Sequence, residues 1–567
     1  MNAKKLFAAL LAVAMVGSLA ACGGNSGKSS GTSAKSSGAS KLDADQTYTV
    51  SMDSDPSTID PSKCNDMYGG TILTNTMEPL TRVEQQKDGS NKVAPAAAKS
   101  WESNDDGTVW TFHLRDNQWS DGQKVTAKDY VYGISRILDP KTGSPLAYML
   151  VSIKNATPVN DGKLAVDQLG VKAVDDSTLQ ITLESSTPYF LALTYSNAMY
   201  PCRQDYVEKY GEKFGSEADT LIACGPFKVK SWTHNSEIIM VKNDRYWDKK
   251  SVKLTTVDYK ILSDENAVYN SFDNGTVEST GCGTPEWIKR FKAKPDVKYT
   301  HYVTPAIRFH FYNTKDKLFK NANIRKAFTL AVDRDDVVDT IYHNTMAATY
   351  SWVPVGVSTG NLGDFRKQAG FEPLKKLKEE NKDAKTLLLQ GMKELNLGDD
   401  PTKLKVTFSM GGTTQWLRNY GEYLQQTFKK QLGVNIDLDY NEWPTFQSKI
   451  NHGDYQMGYM SWAIDYDDPM AMLGLLTSDA NSVPTGWKNQ QYDAIIKQAA
   501  GEMDEAKRVA LYKQAEEIVL HDDCVLAPIV NETVNRFTYS YVKNQCTNYF
   551  ASNSSGLKYV YISGRNK

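Results

Sequence analysis

The chain has 567 residues, a formal net charge of −2, and 23% charged against 40% hydrophobic residues. Near-neutral charge with scattered lysines excludes nucleic acid as the partner, because phosphate binding needs a basic stripe. The length implies roughly two to four domain-sized cores, and 31 tyrosines with 11 tryptophans suit either a large core or a surface that must touch many ligands.

The first element is apolar. Leu6 to Ala21 follow Lys4 and Lys5 and end on Leu19-Ala20-Ala21-Cys22-Gly23. A basic start, a short apolar run and small residues at its end make residues 1–21 an export signal. The run falls short of the about 20 apolar residues that a spanning helix needs. Leu-Ala-Ala-Cys resembles the lipobox of bacterial lipoproteins, which implies a diacylglycerol thioether on Cys22 and a protein anchored outside the cell membrane. Each buried CH₂ contributes about 0.8 kcal/mol and one chain holds weakly, so a two- or three-chain anchor is the stable solution. Residues 22–43 form a Gly/Ser/Lys tether with too little apolar surface to order. As a coil its ends would lie roughly 25 Å apart. Gly27-Lys28-Ser29-Ser30-Gly31 matches the G-x-S-x-G hydrolase pattern, but no strand precedes it and no helix follows.

Beyond the tether, Thr47 to Met52 alternates as a strand and Asp66 to Met77 has helical spacing. Thr108 to Leu114 reads as a strand ending at the Asp116-Asn117 turn. Thr126 and Asp129 form a capping box that opens a helix over Ala127–Leu138, closed by Asp139-Pro140. Val171 to Leu183 reads as a hairpin, and helical periodicity is strong over 320–345 and 484–520. The pattern is mixed α/β in several domains. After Cys22 come Cys64, Cys202, Cys224, Cys282, Cys524 and Cys546, which permit up to three disulfides. The pairs closest in sequence are Cys202 with Cys224 and Cys524 with Cys546. No cysteine or histidine cluster has zinc-ligand spacing, so no metal and no cofactor is expected.

From Trp101 onward a series of strings follows in order. They are Trp101-Glu102-Ser103-Asn104-Asp105-Asp106-Gly107, Thr111-Phe112-His113-Leu114-Arg115, Trp119-Ser120-Asp121-Gly122 and Val125-Thr126-Ala127-Lys128-Asp129. Gly225-Pro226-Phe227, Lys242-Asn243, Tyr246-Trp247-Asp248 and Asp264-Glu265-Asn266 continue the series. Asn323-Ile324-Arg325-Lys326-Ala327, Ala331-Val332-Asp333-Arg334, Trp462 through Pro469 and Thr485-Gly486-Trp487 complete it. The set resembles the family 5 extracellular solute-binding proteins, the oligopeptide and dipeptide receptors of ABC importers.

That resemblance implies an α/β, two-lobed periplasmic-binding-protein type II-like fold with a hinge and an additional third domain. By analogy, lobe I takes residues 44–78, 205–305 and 534–567, the extra domain II takes 79–204, and lobe III takes 306–533. The implied protein is a monomer that captures peptides between its lobes and presents them to the membrane subunits of a permease. Many of the strings are architectural: Asp121-Gly122 is turn chemistry, and Trp101, Trp110 and Trp119 are packing anchors.

A receptor for many peptides must recognise their shared backbone and ammonium terminus. Ser461-Trp462-Ala463-Ile464-Asp465-Tyr466-Asp467-Asp468-Pro469 resembles the family's ligand-binding string. The resemblance implies that Asp465 holds the ammonium, that Trp462 and Trp443 are cleft tryptophans, and that backbone groups around Ala463 and Ile464 pair with the ligand. It also places Asn65 and Met67 at the ligand from the first lobe, and Leu146 and Tyr148 from the extra domain. Asp467 and Asp468 read as solvated turn residues. The loop lacks EF-hand spacing, so three aspartates do not make a calcium site.

The departures concern the ligand's other end. A cysteine bridge of some relatives falls here on Ala306 and Ala463, and arginines that meet the peptide carboxylate are replaced by Ile450 and Tyr459. Lys449 and Arg308 are the substitutes within reach in sequence. Two alternatives stand beside a peptide receptor: the same fold binding an oligosaccharide or metal chelate, and a surface hydrolase. The chain's seven histidines, with no HExxH among them, speak against the hydrolase.

Overall fold

A computed structural model describes residues 42–86, 91–480 and 482–565, apart from the side chain of Pro444. The signal segment 1–21, Cys22 and the tether up to Lys41 lie outside the described residues. Among the described residues no helix is long and apolar enough to cross a membrane.

Three sheets carry the architecture. In the first, Thr47–Met52 runs parallel to Thr256–Ile261, followed by Glu237–Lys242 and Phe227–Thr233. The second has the order Ala98–Ser103, Val109–Leu114, Thr178–Thr182, Val171–Asp175. The third and largest runs Ser279–Gly281, Leu526–Tyr539, Val297–Tyr312, Met457–Ala463, Val406–Gly411, Ile436–Asn441, with Ala347–Ala348 beside 526–539. Period-two alternation explains the first sheet: Tyr48 and Met52 turn into the core while their neighbours stay half-buried.

The helix starts follow capping chemistry. The Asp66 carboxylate accepts from the Gly69 amide at 2.7 Å and opens Met67–Thr76. At Ala127–Leu138 the Thr126 amide donates to the Asp129 carboxylate at 2.6 Å, so the expected capping box forms. Arg325 and Arg334, both in the family strings, are buried and spend their guanidinium N–H groups on backbone carbonyls at Phe319, Asp523, Cys524, Pro528, Thr329 and Val332. These strings are architecture, as are the fully buried Trp119 and the half-buried Trp110 that packs against Phe190.

Two long strands position the site. Val297–Tyr312 is antiparallel to Leu526–Tyr539, paired from Val297 opposite Tyr539 to Phe311 opposite Leu526. Register shifts fall between Val303 and Ile307 and between Arg308 and Phe309. The first strand is half-exposed up to Thr304 and largely buried from Pro305 onward. The boundaries expected at 305/306 and 533/534 fall inside these continuous strands.

The cysteine pairings need correction. Cys64, Cys202, Cys224, Cys282, Cys524 and Cys546 are all free thiols. Cys524 Sγ donates to Thr329 Oγ1 at 3.2 Å, whereas Cys546 Sγ donates to the Asn548 carbonyl at 3.6 Å. Backbone pairing sends Cys202 to Asp129 and Cys224 to Thr76, so nearness in sequence does not bring either pair together.

Candidate functional site

A cavity of about 860 Å³ opens between the sheets. Tyr48 and Val50 of strand 47–52, Tyr259, Tyr302 and Thr304, and Val534 and Arg536 reach it from the strands. Helix 67–76 and its cap contribute Asn65, Asp66 and Met67, and the segment 145–149 contributes Leu146 and Tyr148. Trp462, Ala463, Ile464 and Asp465 close one side, and residues 545–557 another.

Of the residues singled out in the sequence, Asp465, Trp462, Ala463, Ile464, Asn65, Met67, Leu146 and Tyr148 thus meet at one cavity. Trp443 does not line it. It begins helix Trp443–His452, packs against Phe446 and Gly411, and is 47% exposed. Met67 and Tyr148, at 74% and 43% exposure, leave large apolar surfaces facing open space.

Asp465 is the singular group. It is half-buried, its Oδ2 is shut off from solvent, and that oxygen has no hydrogen-bond partner among the described residues. Burial pushes its carboxyl up to about 6, opposed by the polar edges of Tyr148 and Trp462 that face it. Burial, reinforced by Asp465, pushes the Tyr148 hydroxyl far above its ordinary value, so it remains a donor. The Trp462 indole Nε1 is likewise buried without a partner among them.

The next two aspartates are not solvated, contrary to the sequence reading. Asp467 accepts from Asn91 Nδ2 at 2.7 Å, from the Ser358 amide at 2.6 Å and from Ser358 Oγ at 3.0 Å. Asp468 is 1% exposed, accepts from the Tyr512 hydroxyl at 2.7 Å and lies 3.4 Å from Arg508. Each donor satisfies a carboxylate oxygen that the turn would otherwise strand, so these residues brace the loop that presents Asp465.

The backbone beside Asp465 offers a second kind of contact. Strand 457–463 pairs with strand 297–312 along its whole length, Ala306 standing opposite Ala463. On its other edge the parallel strand 406–411 pairs only with Met457 to Tyr459. From Met460 to Ala463 that edge has no strand partner among the described residues, while the Ile464 amide donates to the Pro305 carbonyl at 3.0 Å and fixes the turn.

Packing accounts for the positions that depart from the family. Ile450 and Tyr459 are 3% and 8% exposed and belong to the apolar clusters. Lys449 pairs with Asp439, and Arg308 Nε with Glu532 at 2.8 Å; neither lines the cavity. Sequence reading missed Arg536 and the wall at 545–557. The alternation of Val534 and Arg536 toward one face was the available signal for the former.

The family model described as bacterial extracellular solute-binding proteins, family 5 Middle, matches residues 92–483. The dipeptide-binding protein DppE of Bacillus subtilis (strain 168) is 33% identical over 530 residues, 93% of either chain. The structure of Listeria monocytogenes OppA bound to peptide aligns with a TM-score of 0.77 at 29% identity, over 92% of this chain and 100% of that one. The murein tripeptide binding protein MppA of Escherichia coli gives 0.80 at 28% identity over 92% and 99%. Against MppA in its unliganded open form the score falls to 0.68, over 93% and 99% at 28% identity. Of the two MppA structures, the unliganded open form is thus the less similar to this chain.

Proposed function

We propose, on the premise that the chain belongs to the bacterial extracellular solute-binding proteins of family 5, that it captures oligopeptides in this cavity and hands them to the membrane subunits of an ABC importer. Asp465 carries the reading. A carboxylate withdrawn from water, with a free oxygen and no cation beside it among the described residues, gains most from an ammonium group. A peptide's N terminus supplies one. The open edge at 460–463 can pair with the backbone of any peptide, and Met67, Tyr148 and Trp462 can meet its side chains without selecting one. Relatives described as dipeptide- and oligopeptide-binding proteins point the same way.

The proposed contacts are Asp465, Trp462, Ala463, Ile464, Asn65, Met67 and Tyr148, with Trp443 outside the wall in this arrangement. An oligosaccharide would favour aromatic platforms with neutral polar groups, and a desolvated carboxylate is a poor host for it. The proposed organisation keeps lobe I at 44–78, 205–305 and 534–567, domain II at 79–204 and lobe III at 306–533. Its support is that the sheets draw largely on separate stretches of chain. Cleavage after residue 21 and a lipid on Cys22 would keep a monomeric receptor beside its permease, with no covalent chemistry on the ligand.

Calorimetry tests the central contact. Asp465→Asn is expected to weaken a free-amine peptide by about 2–5 kcal/mol, the scale for breaking a buried charge pair, and to leave its N-acetyl derivative unchanged. Equal affinity of the two peptides for the unaltered protein would overturn the ammonium role.

A further inference from the structure

Among the described residues, Arg536 is the cation that lines the cavity. Its neighbours in sequence alternate, Asn535 and Phe537 turning into the protein while Val534 and Arg536 face the opening. Among the described residues it forms no ion pair, and its Nε is buried without a hydrogen-bond partner. Its charge is felt at the Tyr48 and Tyr259 hydroxyls, which it pulls down against burial. Asp465 receives no such influence from it, so the two charges sit apart in one cavity.

The flanking strands leave this guanidinium accessible. Thr300 stands opposite Arg536 on one side and Gly281 on the other. A side chain added at Gly281 would meet nothing within 4 Å, so the missing side chain leaves open space in the row next to Arg536. An unpaired, partly desolvated guanidinium beside open space has one favourable use: its fork of N–H groups matches a carboxylate in two parallel hydrogen bonds.

We propose that Arg536 is an anion subsite of the cleft, receiving a ligand carboxylate while Asp465 holds the ammonium. The inference rests on the peptide reading above. The carboxylate can be the C terminus or an acidic side chain, and both present the same planar group. This assigns the polar end of the ligand to a strand that sequence comparison with the family's arginine positions does not indicate.

The test uses the full chain and apolar peptides of two to five residues in three forms: the free acid, the C-terminal amide, and the amide carrying one Glu. Arg536→Gln is expected to weaken a carboxylate-bearing form roughly ten- to a hundredfold, the range for a hydrogen bond to a charged group. The neutral amide should bind as before, and Arg536→Lys should recover part of the loss. Loss confined to the free acid assigns the C terminus, and loss confined to the Glu peptide assigns a side chain. Gly281→Glu supplies an independent variant that plants a competing carboxylate opposite Arg536 and is expected to show the same selective loss. If all three forms keep their affinity in Arg536→Gln and Gly281→Glu, the anion subsite is overturned and the Asp465 reading stands. If none of the three forms binds the unaltered protein, the peptide reading falls and takes this one with it.

Discussion

Asp465 is destabilising to the empty protein, because burial of its charge outweighs what the polar edges of Tyr148 and Trp462 return. Its carboxyl titrates near 6 in the folded chain against an ordinary 3.8. A folded-state value above the unfolded one means that the stabilising contribution is complete in acid and is lost as pH rises through about 6. The unliganded Asp465→Asn variant is therefore expected to melt above the unaltered protein at neutral pH, with the difference closing near pH 4. Binding runs the other way. Affinity for a free-amine peptide should fall as pH drops below about 6, where the carboxylate is protonated, while an N-acetyl peptide shows a flat profile by calorimetry. The place of Asp465 at the cavity was legible from its string, whereas the burial of Asp467 and Asp468 was not. Their donors come from Asn91, Ser358 and Tyr512, far away in sequence, and a run of aspartates looks wet until those partners are folded against it. Arg536 was not legible, because the open space beside it comes from Gly281 on a neighbouring strand far away in sequence.

At the scale of elements, local rules were readable where the signal is local. The capping box at Thr126 and the strand at Thr47–Met52 follow from a few adjacent residues. The long strand 297–312 did not announce itself, since Pro305 reads as a breaker and the pattern changes from half-exposed to buried at that point. Only pairing with 526–539 and 457–463 makes it continuous. The unpaired edge at 460–463 predicts a ligand-side effect: N-methylation of a peptide's backbone amide should cost about 0.5–1.5 kcal/mol for each hydrogen bond lost. A scan of N-methyl positions by calorimetry, flat at every position, would exclude strand addition. The free cysteines predict that reductant leaves the melting temperature unchanged in a thermal scan.

For the whole molecule, the loop after strand 457–463 is where distant parts meet. Asn91 holds Asp467, the Tyr195 hydroxyl accepts from the Asp467 amide at 3.2 Å, and Tyr189 stacks on Tyr466 with centroids 5.3 Å apart. These contacts tie segments 91 and 189–195 to the loop after strand 457–463. A closed state that gains them is favoured by the same amount that their removal forfeits. Asn91→Ala is expected to weaken peptide binding by about 0.5–1.5 kcal/mol and to enlarge the radius of gyration of the unliganded protein in solution scattering. An unchanged radius with unchanged affinity would show that these contacts do not hold the closed state. None of this was legible from periodicity, because it depends on segments brought together over hundreds of residues.

The unpaired edge from Met460 to Ala463 has a cost of its own. An exposed row of backbone donors and acceptors accepts any extended chain, including a copy of itself, and soluble proteins ordinarily blunt such rows. If this edge captures peptides, blunting it would abolish capture, and its protection is recess: Trp462 and Ala463 line the cavity rather than the outer surface. Tolerance of many peptides and avoidance of edge-to-edge pairing would then follow from one feature, the placing of this edge in the cavity wall.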